Sequence, residues 1–196
     1  MRRAALRQSE LRAVELLCMQ RFESIFDLSH PCIERFALPV TAVFDSFSSY
    51  CEKTGTPKAL LCEAGTDGLT VRRDGQYVIL YNDQVKNERR RAFTLAHEVG
   101  HILLSHAGEQ PEVEEKEANA FAAALLCPAI AARYLAHRNA SPLTEELLAT
   151  HFFLSAEAAK NRLRDLRRPA PPPADTEIAL LLALFGKIPT PCEEER

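Results

Sequence analysis

The stretch RAFTLAHEVGH, residues 91–101, carries His97 and His101 four positions apart, with Glu98 beside the first. On an α-helix, residues four apart lie one above the other, so the two imidazoles can reach one metal ion. Glu98 falls about 100° round the helix, near enough to polarise a water without coordinating. Ala96, Val99 and Ile102 make the segment apolar, and unpaired imidazoles in such a buried setting are costly. The pattern therefore reads as a ligand-bearing helix rather than a solvated one that happens to hold histidines.

A catalytic zinc ion takes three protein ligands and keeps one position open. The third donor should stand close by, and the next helical segment supplies a run of carboxylates, Glu112, Glu114, Glu115 and Glu117. A turn over 107–111 folds the two helices antiparallel and leaves His101 and Glu115 each about 6 Å from it, at 1.5 Å per residue. Glu112 falls at the turn itself. Glu114 shares a face with Ala118, Phe121 and Leu125, whereas Glu115 shares one with Asn119, whose amide can orient a ligand histidine. Spacing alone leaves Glu114 and Glu115 both open.

The 196 residues, 46% hydrophobic and 26% charged, are enough to bury a core. A net charge of -3 argues against a protein that coats nucleic acid and leaves room only for a local basic patch. The six cysteines form no C-x-x-C pair and no secretory signal is legible, so a reducing cytoplasm is the expected setting. The Arg-rich start MRRAALRQSELRAVELL has the look of a transit peptide, but Glu10 and Glu15 count against it. The longest apolar run, IALLLALF at 178–185, falls far short of the ~20 residues that cross a bilayer, so no membrane span is expected.

Working outward from the histidines, the pattern predicts a first amphipathic helix over 10–26 and a second from about 39 or 41 to 53, ending at Gly55. Three short strands follow, in ALLCEA, LTVRR and YVILYN, with Asp74-Gly75 as a type I′ hairpin turn, which together read as an antiparallel sheet. The histidine helix should run over 89–105 and stop at Ala107-Gly108. Its partner should run from Pro111 to Pro128. Two short helices come next, in LTEELLATHFF and LSAEAAKNRLRDL, with Thr144 and Ser155 as N-caps. The proline-rich RPAPPPAD at 168–175 is an extended linker to a last helix over 177–187 and an acidic tail.

RRRAFTLAHEVGHILLSH, followed by EEKEANAFAAALLCP, resembles the ImmA/IrrE family of zinc metallopeptidases, gluzincin-like in its H-E-x-x-H core. LPVTAVF and VILYND extend the resemblance over about 38–168. It implies an α+β fold: a mostly helical zincin-like peptidase core with a small three-stranded antiparallel sheet, then a helix-turn-helix-like helical unit. The expected division is 1–136, 137–168 and 169–196. Carried over residue by residue, the resemblance makes His97 and His101 zinc ligands, Glu98 the general base and Glu115, four before Asn119, the third ligand. That match selects Glu115 over Glu114. Cys127 stands where the family usually has methionine, and reads as a packing thiol or a competitor for zinc. His106 stands one place later than the histidine the family often has, which leaves it a helix-end histidine.

The strand Gln76 to Asn82, with Tyr77, Ile79 and Tyr81, is expected to pair with substrate as an added strand. Tyr134, His137 and His151 are all open as donors to an oxyanion. The resemblance implies a zinc endopeptidase acting on a helix-turn-helix repressor of the lambda type, in response to a stress or mobile-element signal. The alternative is a DNA-binding or partner-recognition regulator with a non-catalytic metal site. LLATHFFLSAEAAKNRLRDLRRP resembles a helix-turn-helix, and Lys160, Arg162, Arg164, Arg167 and Arg168, less Asp165, give a local charge of +4 for DNA contact through 160–168.

Overall fold

The computed structural model describes residues 2–20, 22, 24–62 and 66–186. A long helix, α1 (Arg2–Met19), opens the chain, and two single 3-10 turns, Ile25–Leu28 and Ile33–Arg35, lead to the first strand, β1 (Ala42–Ser46). Helices α2 (Phe47–Thr54) and α3 (Lys58–Cys62) cross over to β2 (Gly68–Arg73) and β3 (Gln76–Tyr81). The histidine helix is α4 (Glu88–Leu103) and its carboxylate partner is α5 (Pro111–Leu126). Four shorter helices follow: α6 (Ala129–Arg138), α7 (Glu145–His151), α8 (Ala156–Leu166) and α9 (Asp175–Phe185).

The fold is α+β and mostly helical, but the sheet is mixed rather than antiparallel. Its order is β1-β3-β2, with β1 parallel to β3 and β2 antiparallel to it. Two expectations fail together here. The run Val43-Phe44, read as the second helix, is the strand β1, and most of ALLCEA, read as a strand, is the helix α3; residues 63 and 64 of that run lie outside the described residues. Both apolar runs are too short for periodicity to separate the two states. What decides them is distant: Ala42–Ser46 pairs with Tyr77–Tyr81, and a parallel pair needs a crossover, which α2 and α3 help to provide. Asp74 and Gly75 do take φ of 51° and 79°, as the hairpin turn requires.

Alternation along β3 divides the core. Ile79 points into the main core and Leu80 to the opposite face, where it meets Phe47 and Leu61; all but Leu61 are fully buried. The main core joins Leu16 and Leu17 of α1, Leu95 and Val99 of α4, Phe121 and Leu125 of α5, Leu148 of α7, Leu163 of α8 and Leu180 and Leu184 of α9. Each such side chain stabilises the fold by roughly 1.5–3 kcal/mol. Pro111–Arg138 is long and apolar enough to cross a membrane by composition, yet 61% of that stretch's apolar window is buried inside the protein, the signature of core helices. Sequence periodicity had merged or missed some boundaries: α1 ends at Met19 rather than 26, α6 was not foreseen, and the end of the last predicted helix, 187, lies outside the described residues. Thr144 and Ser155 cap α7 and α8 as read, each accepting from the backbone N–H three residues on, at 3.1 and 3.2 Å.

Candidate metal centre

Helix α4 starts where Asn87 accepts a hydrogen bond from the Arg90 N–H at 3.2 Å. Leu95, Ala96, Val99 and Ile102 turn one side into the core, which leaves His97 and His101 on the side that faces α5 and a cleft of about 830 Å³. Gly100 sets how closely α5 can approach. A Cβ there would lie 3.1 Å from Phe121 Cδ1 and 3.3 Å from Ala118 Cα, so a side chain at this position would push the two crossing helices or the Phe121 ring apart by a few tenths of an ångström. That crossing brings Glu115 to the histidines: its Oε2 is 3.3 Å from His97 Nε2 and its Oε1 3.3 Å from His101 Nε2. The three ligand atoms all lie within 4.8 Å of one another.

The chemistry of this set fits a metal ion. Asn119 Oδ1 lies 3.2 Å from His97 Nδ1, and a carbonyl oxygen only accepts, so His97 carries its proton on Nδ1 and presents a lone pair at Nε2. Burial holds His97 below the ordinary imidazole pKa, against the attraction of Glu115. Burial, and then the neighbouring His97, hold His101 low as well. Both rings are thus biased to the neutral state that ligates. Two imidazole nitrogens and a carboxylate facing one another form a cluster of electron pairs that a cation satisfies, and N,N,O donor sets of this kind suit zinc.

Glu98 is 8% exposed and sits against the sheet, where Thr70 of β2 donates a hydrogen bond from Oγ1 to its Oε2 at 2.8 Å. Burial raises its pKa; the Thr70 hydrogen bond opposes this and the charge of Glu115 adds to it. A carboxylate of raised pKa is a stronger base at neutral pH. Gly68 lets β2 lie close to α4 here: a Cβ would fall 2.5 Å from Thr94 Cγ2 and 3.1 Å from the Leu80 carbonyl oxygen, and only in ordinary contact, 3.5 Å, with Glu98 Cγ. Neither Thr70 nor Gly68 stood out in the sequence, because their role depends on β2 lying across α4.

The structure separates the remaining candidates. Glu114 turns away from the histidines to the turn between α4 and α5, accepting from the Gly108 N–H at 2.9 Å and the Ala107 N–H at 3.4 Å. Helix α4 ends two residues earlier than expected, and the left-handed residue of its cap is Ser105, with φ of 58°; Gly108, left-handed as well with φ of 79°, lies three residues further on in the turn. His106, read as a helix-end histidine, has a side chain only 6% exposed and contacts His101. Of the strand residues, Tyr77 lines the cleft, whereas Ile79 is in the core. Strand β3 is the middle strand, both of its edges taken by β1 and β2, so it cannot receive a peptide as an added strand. Among the described residues, the strand beside the cleft with an open edge is β2, whose Gly68, Leu69, Thr70 and Arg72 line it.

Tyr134, His137 and His151 do not line the cleft; Tyr134 packs its ring against Phe185 at 4.6 Å. Cys127 is fully buried, its thiol pushed up to about 11 by burial, and it packs in the core away from the histidine cluster. Arg162 is 3% exposed, donating from Nε to the Cys127 carbonyl at 3.0 Å and from a terminal nitrogen to Glu10 at 2.7 Å.

Comparison with known proteins agrees with this geometry. The family model described as the IrrE N-terminal-like domain matches residues 60–164, which span β2, β3 and the whole of the α4–α5 pair. The chain is also 43% identical to the radiation response metalloprotease IrrE of Deinococcus deserti, over 33% of this chain and 31% of that protein, so the match spans about a third of the relative's length. With more than half of its residues matched by the family model, and a cluster of two histidines and a glutamate on the two helices that carry the resemblance, the chain belongs to the ImmA/IrrE family of metallopeptidases.

Proposed function

We propose that the protein is a zinc-dependent endopeptidase that cleaves a helix-turn-helix repressor of the lambda type in stress response or mobile-element regulation. The observation that carries this reading is the convergence of His97, His101 and Glu115 beside a buried Glu98 of raised pKa, all on one open cleft. His97, His101 and Glu115 would hold the ion. When bound, zinc supplies Lewis acidity toward a water and a carbonyl oxygen. Glu98 takes a proton from the attacking water and delivers it to the leaving amine nitrogen, and Thr70, bonded to Oε2, fixes the carboxylate for both transfers. The substrate backbone lies along the open edge of β2, whose residues share the cleft with the histidines.

The regulator reading has less support. Of its basic residues, Arg162 is buried and engaged by Glu10, and Arg168 pairs with Asp165 at 3.1 Å, which leaves a thinner patch over 160–168 for phosphate contact. The test is to measure zinc content and then incubate the wild type and Glu98→Gln with the repressor encoded beside the gene. Near-stoichiometric zinc in both, with a single cut by the wild type alone, is expected. Repressor left intact by both yet bound by both would favour partner recognition, and a salt-sensitive gel shift lost with Lys160, Arg164 and Arg167 would favour DNA binding.

A further inference from the structure

His97 and His101 are supported in different ways. His97 leans on a single exposed amide, Asn119, but His101 is backed by a second imidazole and, behind that, a carboxylate. His106 Nδ1 lies 2.8 Å from His101 Nδ1, and His106 Nε2 lies 3.2 Å from Glu117 Oε2. We propose that Glu117 and His106 form a positioning relay that locks the tautomer of His101, an inference that rests on the metal-site reading for its purpose but not for its geometry.

The argument is one of donors and acceptors. A carboxylate only accepts, so Glu117 requires the proton of neutral His106 to sit on Nε2. Nδ1 of His106 is then a lone pair and can only accept, which requires His101 to donate from its own Nδ1. With that proton placed, His101 Nε2 is left as a lone pair for a metal ion, whereas His97 Nε2 at 3.0 Å and Glu115 Oε1 at 3.3 Å draw a proton to that same atom in the metal-free chain, and the relay is what opposes them. Reverse the tautomer of His106 and the chain reverses: His101 would carry its proton on Nε2 and could not ligate. Glu117 is the group that opposes the reversed arrangement.

The backbone is shaped to hold this relay. The His106 N–H donates to the His101 carbonyl at 3.0 Å and the Ser105 N–H to the Ile102 carbonyl at 3.1 Å, the paired bonds of a Schellman cap. Ser105 supplies the left-handed residue that such a cap needs, with φ of 58°, in a position usually left to glycine. The cap folds the chain back so that the residue just past the helix lies beside the residue a turn before its end. An apolar contact ordinarily fills that place; here two imidazoles fill it. Glu117, two residues beyond Glu115 on α5, closes the chain from the facing helix.

The test reads tautomers in the metal-free full chain and zinc affinity separately. Long-range proton–nitrogen correlation on histidine-labelled protein at pH 8, with chelator present, should show His101 protonated at Nδ1 and His106 at Nε2. Glu117→Ala should shift both toward the other tautomer, and Glu117→Gln, whose amide can accept or donate, should give a mixture. Zinc affinity, measured by competition with a chromogenic chelator, should weaken about 10–100-fold in Glu117→Ala and in His106→Phe, and stay unchanged in Lys116→Ala on the same helix. His101 protonated at Nε2 in the wild type, or spectra unmoved by Glu117→Ala, would overturn the relay. So would equal weakening in Lys116→Ala, which would mean a general loosening of α5. A wild type that takes up no zinc, with the expected tautomers in place, would instead sink the metal reading and leave the relay standing.

Discussion

The α4–α5 pair and helix α8 both carry charged and polar side chains at helical spacing, and they use them in opposite ways. On α4 and α5, His97, His101 and Glu115 converge on one point beside an open cleft, and their electron pairs face each other. On α8 the polar group with the tightest surroundings, Arg162, is turned inward, where Glu10 and the Cys127 carbonyl engage it. Its neighbours Lys160, Arg164 and Arg167 point outward and do not converge. Convergence on an accessible point gives chemistry; pairing in the core gives attachment of one helix to another. The same residue type on the same kind of element says nothing until its partners are known.

The sharpest way to break this contrast is Glu98→Gln. Removing the base while leaving the ligands should cut hydrolysis of the repressor about 10²–10⁴-fold, with zinc affinity within a few-fold of wild type and the fold unchanged. A variant that still cleaves would end the assignment of Glu98 as base. Next in size is Arg162→Met. It leaves the half-buried Glu10 with only the longer contact to Arg7, at 3.9 Å, and the Cys127 carbonyl without its Arg162 donor, and should cost about 2–4 kcal/mol in urea unfolding, while Arg164→Ala stays within about 0.5 kcal/mol. Equal effects at the two positions would erase the distinction between an inward and an outward arginine.

Gly100→Ala tests whether the two helices must touch where they cross. Its methyl meets the Phe121 ring and the Ala118 backbone, so a loss of about 1–3 kcal/mol is expected, together with weaker zinc binding as Glu115 is pushed from the histidines. The smallest effect concerns α9, tied to α1 by the ion pair of Glu177 with Arg7. Burial raises the Glu177 pKa, but hydrogen bonds from Arg7 and the Ala174 N–H, with the charge of Arg7, lower it by more. The unfolded chain therefore binds more protons than the folded one across that interval. The contribution is complete above the ordinary carboxylate range and disappears as pH falls through the depressed value. Glu177→Gln should cost about 1–2 kcal/mol at pH 7 and progressively less as melts are repeated toward pH 3.

What the sequence disclosed follows from how local each feature is. The histidine helix, its carboxylate partner and the N-caps Thr144 and Ser155 are set within a few turns of chain, and the pattern carries them. The strand β1 was illegible because its identity lies in Tyr77–Tyr81, some thirty-five residues on. Strand order hid for the same reason, and with it the fact that β2 rather than β3 borders the cleft with an open edge. Thr70 could be matched to Glu98, and Gly68 to Thr94, only once the sheet lay across α4. His106 was misjudged because a serine occupies the left-handed position of the helix cap, where a glycine would have marked the turn.

Gly100 also bears on the order in which the molecule assembles. The ligand cluster is contained between residues 97 and 115, on two helices joined by a short turn that closes at small entropic cost, whereas β1 must find β3 across two helices and a hairpin. Contacts near in sequence form faster than distant ones. Because the glycine lets α4 and α5 meet within one short stretch of chain, the three ligands are set by contacts near in sequence, whereas the buried setting of Glu98 depends on β2, whose Thr70 reaches it from the sheet.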